Sequence, residues 1–475
     1  MNAKEIETRI YPMETKTRIY PMETEIRVNA PQKDARIYAP RYLYVNEVFE
    51  ENYALVAAKG LIEKTGPLDT LIKSYPHAPI EYLKDEVIVP GTVNVHNHSF
   101  QSLLRGLCCD RPFLEWRDKA LYRYSPRLTR EHIYGGALFA FGEMMKCGVT
   151  TVCDFFYLHN FGLESDEMII RAARDIGIRL VLARTLYDWP GAPVGYRETV
   201  SQAVSNTRQL ALSLKGDPQV SVVPAPHSLH AATPEMIQAG HSLAKDLGTR
   251  FHIHVAEEPF EVEECKAAHG GLTTIEALDK LGVVDESMVM VHGVYLKPSE
   301  IELFGARKGS LAYCPSSNMF LADGITDIVA MERAGVTIGL GSDGACSNNR
   351  NSVFEEMRMA PLLQKAKTCD AMCVNYQQAF RMGTENGGRI LDLPVGRLEE
   401  GMRADFTAIS VNDFSMQPIS SSKEQILPNI VYSMQPTAIK KVVAGGITTV
   451  ENGRLQTVAE EEIVERIGRI MKEIE

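Results

Sequence analysis

In the stretch VPGTVNVHNHSFQ, residues 89–101, His96 and His98 stand two apart behind a run of strand-forming residues. Side chains at i and i+2 of a strand leave the same face, so both imidazoles can converge on one ion. Taken alone, such a pair fits local hydrogen bonding as well as it fits ligation. Further on, RFHIHVAEE (250–258) carries His252, His254 and Glu257, MVMVHGVYL (288–296) carries His292, and TIGLGSDGA (337–345) carries Asp343. Three imidazoles and one carboxylate suit a divalent first-row metal with a position left open for water. We assign His96, His98, His254 and Asp343 as its ligands. Zinc is the first choice of ion, with iron, cobalt and manganese as the others. His252 could share a face with His254, but only His254 is followed three residues later by a carboxylate that can carry protons beside the metal. That places Glu257 at the reaction centre and His252 behind it.

These residues need a scaffold that brings distant segments together. From about residue 87, short β-rich apolar runs alternate with stretches of helical periodicity, the pattern of a parallel sheet built from βα units. Eight strand candidates follow in order: VIVPGTVNVH, TTVCDFF (150–156), IRLVLART (178–185), QVSVVPAPHS (219–228), RFHIHVAEE, MVMVHGVYL, GSLAYCPSSN (309–318) and TIGLGSDGA. Between the first two, Ile133, Ala137, Ala140, Phe141, Met144 and Met145 recur at helical spacing, and Gly148 supplies a stop. This stripe reads as core packing. The fold class expected is α/β, a (β/α)8 TIM barrel over residues 87–399, with its active site at the C-terminal ends of the strands. His96, His98, His227, His254, Glu257, His292 and Asp343 all fall at or near those ends. Of twelve histidines, six (96, 98, 227, 252, 254 and 292) lie in strand candidates, which favours a common site over scattered structural roles. Residues 35–86 and 400–475 contain further β-rich runs and are expected to pair into one small β-sandwich domain from both ends of the chain, with a C-terminal helix. TRIYPMETK (8–16) recurs as TRIYPMETE (17–25). Two copies are too few for a solenoid, so residues 1–34 are set apart as a repetitive arm.

The length of 475 residues accommodates one large barrel with a smaller companion. A net charge of −11 with no basic stripe argues against nucleic acid as a partner. No uncharged apolar run approaches the roughly 18–20 residues that span a bilayer, and the N-terminus is charged where a secretion signal is apolar. No membrane association and a cytoplasmic location are expected. The nine cysteines form no CxxC pair, which suits reduced thiols and disfavours a thiolate zinc site.

PGTVNVHNHSFQ, HIHVAEE, VHGVYL, YCPSSN and GLGSDGACSNN together resemble the amidohydrolase superfamily, in its branch of mononuclear deaminases and related hydrolases, over about residues 40–450. The resemblance implies the barrel with its β-sandwich, the ligand set His96, His98, His254 and Asp343, and catalytic roles for Glu257 and His292. Binuclear members carry a carboxylated lysine at the end of strand four; none stands here, so one ion is expected. The resemblance implies that Asp343 or His292 takes a proton from water, that Glu257 protonates the leaving amine or the ring nitrogen, and that His292 stabilises developing charge.

Two subfamilies bear on the substrate. HNHSFQSLLRGL, FLEWRDKALYR, DFFYLHN and PHSLH resemble formiminoglutamate deiminases, with matches at Gln101, Arg117, Tyr157 and His227, which in that family surround the substrate. That family follows PHSL with an arginine that clamps a carboxylate. This chain has His230, and losing a bidentate guanidinium is not conservative. The later half is closer to deaminases and dechlorinases of purines, pterins and s-triazines. There Ser317 and Asn318 could contact a flat ring, or PSSN could be a simple turn. Cys314 and Cys346 near the rim are expected to be inert. The expectation is a small-molecule substrate cleaved at a C–N bond on an amidine-like or aminated heterocyclic carbon, by a homo-oligomer (dimer or tetramer). The alternatives are hydrolysis of a xenobiotic carbamate, thiocarbamate, urea or aryl halide, and a non-catalytic metal-binding scaffold.

Overall fold

A computed structural model of the chain describes residues 35–474. The duplicated TRIYPMET segment lies outside them. All eight barrel strands are present: Thr92–Asn97, Val149–Phe156, Arg179–Leu186 and Val220–Pro226, then Phe251–Val255, Met288–His292, Ser310–Tyr313 and Thr337–Leu340. They pair in chain order as two parallel four-stranded sheets. Polar contacts join the sheets at both seams. Ser228 bridges His254 in parallel, with the His254 amide donating to the His227 carbonyl at 2.9 Å. At the other seam the Asp343 amide donates to the His96 carbonyl at 3.1 Å, and the Ser342 amide to Asn94 Oδ1 at 3.1 Å.

Helices wrap this ring as the periodicity predicts. Arg130–Lys146 buries Ile133, Ala137, Ala140, Phe141, Met144 and Met145, and the chain leaves it through Gly148 at φ +81°. A residue with a Cβ would be strained there and would press on the Phe354 ring at 2.9 Å.

Three boundaries differ from the expectation. VIVPGTVNVH is two strands, Ile80–Pro90 and Thr92–Asn97. At Gly91 an added Cβ would lie 2.3 Å from Thr150 Oγ1, so only glycine allows the close approach at which the chain passes from one sheet to the other. PSSN is neither strand nor turn, because Pro315 starts a short helix, Pro315–Phe320, where its missing N–H costs nothing. The C-terminal helix, Glu460–Ile474, packs on the barrel rather than on the β domain. Ile463 and Ile470 reach Gly142 and Gly135 of Arg130–Lys146, and Lys146 Nζ meets Glu460 Oε2 at 2.7 Å.

The β domain is a nine-stranded sheet made from both chain ends. Its junction is the antiparallel pairing of Ile80–Pro90 with Phe406–Ser410, in register Pro90 to Phe406. At the start of Arg36–Val45 alternate residues serve two apolar clusters, Ile37 and Ala39 in one and Tyr38 in the other, which Leu43 joins beyond the register shift between Pro40 and Tyr42. Tyr38 and Phe406 meet edge to face at 4.8 Å. Domain and barrel are pinned by Asp405, which is buried. Its carboxylate accepts from Arg179 at 3.1–3.3 Å and from the Gly445 amide at 2.5 Å, and its carbonyl accepts from the Gly91 amide at 3.1 Å. Replacing Arg179 with Met leaves this carboxylate buried without its cation, so chemical denaturation is expected to show a loss of about 3–5 kcal/mol. Wild-type stability in that variant would refute the assignment of the pair as the pin.

Candidate metal centre and substrate cavity

The seams place the polar residues in one basin. One ligand atom each from His96, His98 and His254 lie within 4.8 Å of one another, and the same holds for Glu257, His292 and Asp343. Asp343 Oδ1 ties the two groups, 3.4 Å from His96 Nε2 and 3.3 Å from His98 Nε2. Burial resists ionisation of Asp343, but His96, His98 and His292 outweigh it and hold the carboxyl well below its ordinary range. Burial pushes His98 down to about 3 and His254 well below the usual imidazole value. His98 and His254 are therefore neutral, the state in which imidazole binds metal.

The hydrogen bonds around these rings leave the inward nitrogens free. His98 Nδ1 donates to the Phe155 carbonyl at 2.6 Å and His254 Nδ1 to the His227 carbonyl at 3.1 Å, so both present a lone pair at Nε2. His96 is fully buried with neither ring nitrogen hydrogen-bonded. An orphaned buried imidazole is costly in a protein interior, and a cation shared with Asp343 removes that cost. The donor set therefore fits one divalent metal held by His96, His98, His254 and Asp343. His252 lies outside it, against Cys153 Sγ at 3.7 Å, as its place behind His254 predicts.

A second layer holds the basin in shape. Asp343 Oδ2 accepts from Ser317 Oγ at 2.6 Å and Ser347 Oγ at 2.9 Å, and Asn97 Nδ2 donates to the Asp343 carbonyl at 2.5 Å. Ala256, His292 and Asp343 have φ of +49°, +68° and +55°. L-residues rarely adopt this region, and here it turns the chain sharply at the mouths of strands five, six and eight.

Asn318 is buried and bonded to His292 rather than lining the cavity. Thr326 Oγ1 donates to the His292 carbonyl at 2.8 Å and so accepts from Asn318 Nδ2 at 3.3 Å. That orients the amide, leaving Asn318 Oδ1 to accept from His292 Nδ1 at 2.9 Å. The neutral His292 ring then has a lone pair at Nε2, 3.4 Å from Glu257 Oε1. It can accept a proton first and stabilise negative charge only afterwards. Ser317 and Asn318 thus support Asp343 and His292, where the sequence left open a ring contact or a simple turn. Burial, then the charges of Asp323, Asp343, Glu261 and Glu258, push the Glu257 carboxyl well above its usual range, which favours its protonated form.

Above the basin lies a cavity whose walls include Gln101, Arg117, Tyr157 and His227, as the sequence suggests, together with Trp116, Tyr122, Tyr187, Tyr196, His230 and Leu321. Gln101 Nε2 donates to Tyr157 OH at 3.0 Å and leaves Oε1 unpaired. Arg117 lies over the rings of Tyr122 and Trp189, and its Nη2 meets Asp118 at 2.8 Å. The extra aromatic residues come from the two connections that follow strands one and three, at positions with no common spacing, which is why no sequence pattern marks them. Cys314 and Cys346 are buried, with thiols raised first by desolvation, Cys346 to about 12, and are unreactive.

Residues 87–449 match the model of the Amidohydrolase family. The chain is 33% identical over 379 residues to a 5-methylthioadenosine/S-adenosylhomocysteine deaminase of Pelotomaculum thermopropionicum, covering 80% of this chain and 84% of that one. It is 32% identical over 396 residues to a 5'-deoxyadenosine deaminase of Methanobrevibacter smithii, covering 82% and 87%. An adenosine deaminase from Xanthomonas campestris with bound zinc superposes with a TM-score of 0.86 at 25% identity, covering 94% of this chain and 99% of that one. Strand order, seam residues and these matches agree, and the chain belongs to the amidohydrolase family.

Proposed function

We propose that the chain is a metal-dependent deaminase that replaces the exocyclic amine of a purine-type heterocycle by oxygen, consuming water and releasing ammonia. The observation that carries this reading is the pairing, in one aromatic-walled cavity, of a fitting metal-ligand set with the buried Glu257 carboxyl, 3.4 Å from His292 Nε2. The names of the related deaminases support the amine as leaving group, and the solved adenosine deaminase supports zinc as the ion. Among the described residues no helix is long and apolar enough to cross a membrane.

A zinc ion held by His96, His98, His254 and Asp343 would supply Lewis acidity that brings the pKa of water towards about 7. The protein groups manage the protons. Asp343, kept ionised, and His292, with its free Nε2, accept the proton lost by water. Glu257 delivers its proton to the ring nitrogen beside the attacked carbon, the proton gained by Asp343 or His292 passes on to the departing amine, and Glu257 takes back the second proton of the former water as the carbonyl forms. Tyr157, Tyr187, Tyr196 and Trp116 offer flat faces to a heterocycle.

Ammonia release should be measured for 5'-methylthioadenosine, 5'-deoxyadenosine, adenosine, guanine, a pterin and a formimino acid. Turnover of a purine is expected, with Glu257→Gln lowering kcat by about 10²–10⁴-fold while metal content stays unchanged. Silence across the purines, or full activity of Glu257→Gln, would overturn the reading. Because Glu257 must be protonated, wild-type kcat should fall as pH rises through its raised pKa, and a flat alkaline limb would remove it as the acid. Chelation should abolish activity and one equivalent of zinc restore it. Ser317→Ala, which strips a donor from Asp343, should weaken zinc binding by about 10–100-fold in a competition titration.

A further inference from the structure

Four side chains run outward from the cavity wall behind the fourth barrel strand. His227 is stacked on His254, with ring centroids 4.8 Å apart and planes at 24°. Its Nδ1 lies 3.0 Å from Ser228 Oγ, and the same oxygen lies 3.1 Å from His230 Nδ1. His230 Nδ1 in turn lies 3.7 Å from Glu261 Oε2. Ser228 and Glu261 are buried. Ser228 and His230 move no proton in the chemistry above, and Glu261 enters it only through its charge on Glu257.

A hydroxyl has one proton, so Ser228 donates to one imidazole and accepts from the other. Glu261 sets the direction. A lone pair on His230 Nδ1 would be repelled by the nearby carboxylate, whereas an N–H there is attracted to it. His230 Nδ1–H therefore donates to Ser228 Oγ, and Ser228 donates to His227 Nδ1. With Nδ1 accepting, the proton of the His227 ring is left on Nε2.

We propose that Ser228, His230 and Glu261 are positioning residues that fix His227 as an Nε2–H donor to the cavity. The cavity then selects substrates that offer a lone pair at this wall, such as a ring nitrogen or a hydroxyl or ether oxygen, over those that offer an amine there. The selectivity rests on the deaminase reading; the tautomer does not.

The test is ¹⁵N NMR of the zinc-loaded, histidine-labelled protein, with the His227 signals assigned by their loss in His227→Asn. The wild type should show His227 protonated at Nε2. Ser228→Ala should shift its Nδ1 resonance, and with whichever purine is turned over should raise KM about tenfold with kcat within twofold; Ser228→Thr should restore both. Glu261→Gln should act in the same direction, while Glu264→Gln, an exposed carboxylate on the same helix, should change neither. A wild-type His227 protonated at Nδ1, or a Glu261→Gln protein with unchanged tautomer and KM, would overturn the proposal. The spectrum reads the tautomer whether or not any compound is deaminated, so the two readings fail separately.

Discussion

A carboxylate buried among imidazoles is the constraint around which this molecule is arranged. Asp343 sits out of water with one oxygen facing His96 and His98 and the other held by two serine hydroxyls. Charge at such depth is tolerable only when every lone pair is answered. The same residue closes the barrel, because its amide bonds to the carbonyl of His96 across the seam. The opposite seam repeats the device with His254 and His227. Barrel closure and site assembly are thus one set of contacts, and neither can be disturbed without the other.

Much of this was legible in the sequence because parallel strands buried on both faces read as apolar runs, and because polar residues at their C-terminal ends stand out against that background. All eight strands, the Met-rich helix stripe and the convergence of His96, His98, His254, Glu257, His292 and Asp343 were visible for this reason. The break at Gly91 was hidden, since apolar residues continue through it and only the proximity of Thr150, far along the chain, demands it. The helix at Pro315 was too short for periodicity to show. The roles of Ser317, Ser347 and Asn97 carry no spacing signal, because a residue that supports a ligand answers to geometry in space and not to order along the chain.

The cavity joins two kinds of surface with different tolerances. Its floor is polar, and three of its imidazoles have their tautomer set by a neighbour: Phe155 for His98, His227 for His254, Asn318 for His292. Its walls are aromatic rings on loops, linked by few hydrogen bonds such as Tyr122 to Tyr187 at 3.1 Å and Ser125 to Tyr196 at 2.6 Å. Chemistry is thereby kept constant while recognition is left to side chains that can change without unseating the floor, the division that barrels of this kind permit.

The pairing of Ile80–Pro90 with Phe406–Ser410 bears on how the protein is made. The strand that leads directly into His96 and His98 meets Arg36–Val45 on one edge, but its other edge has no partner until roughly three hundred more residues have left the ribosome, a contact of very high sequence separation. Until then its edge is open to pairing with other chains. Slow late synthesis, or truncation before residue 406, would expose that edge for longest, so expression yield is tied to the tail of the chain as much as to the barrel itself.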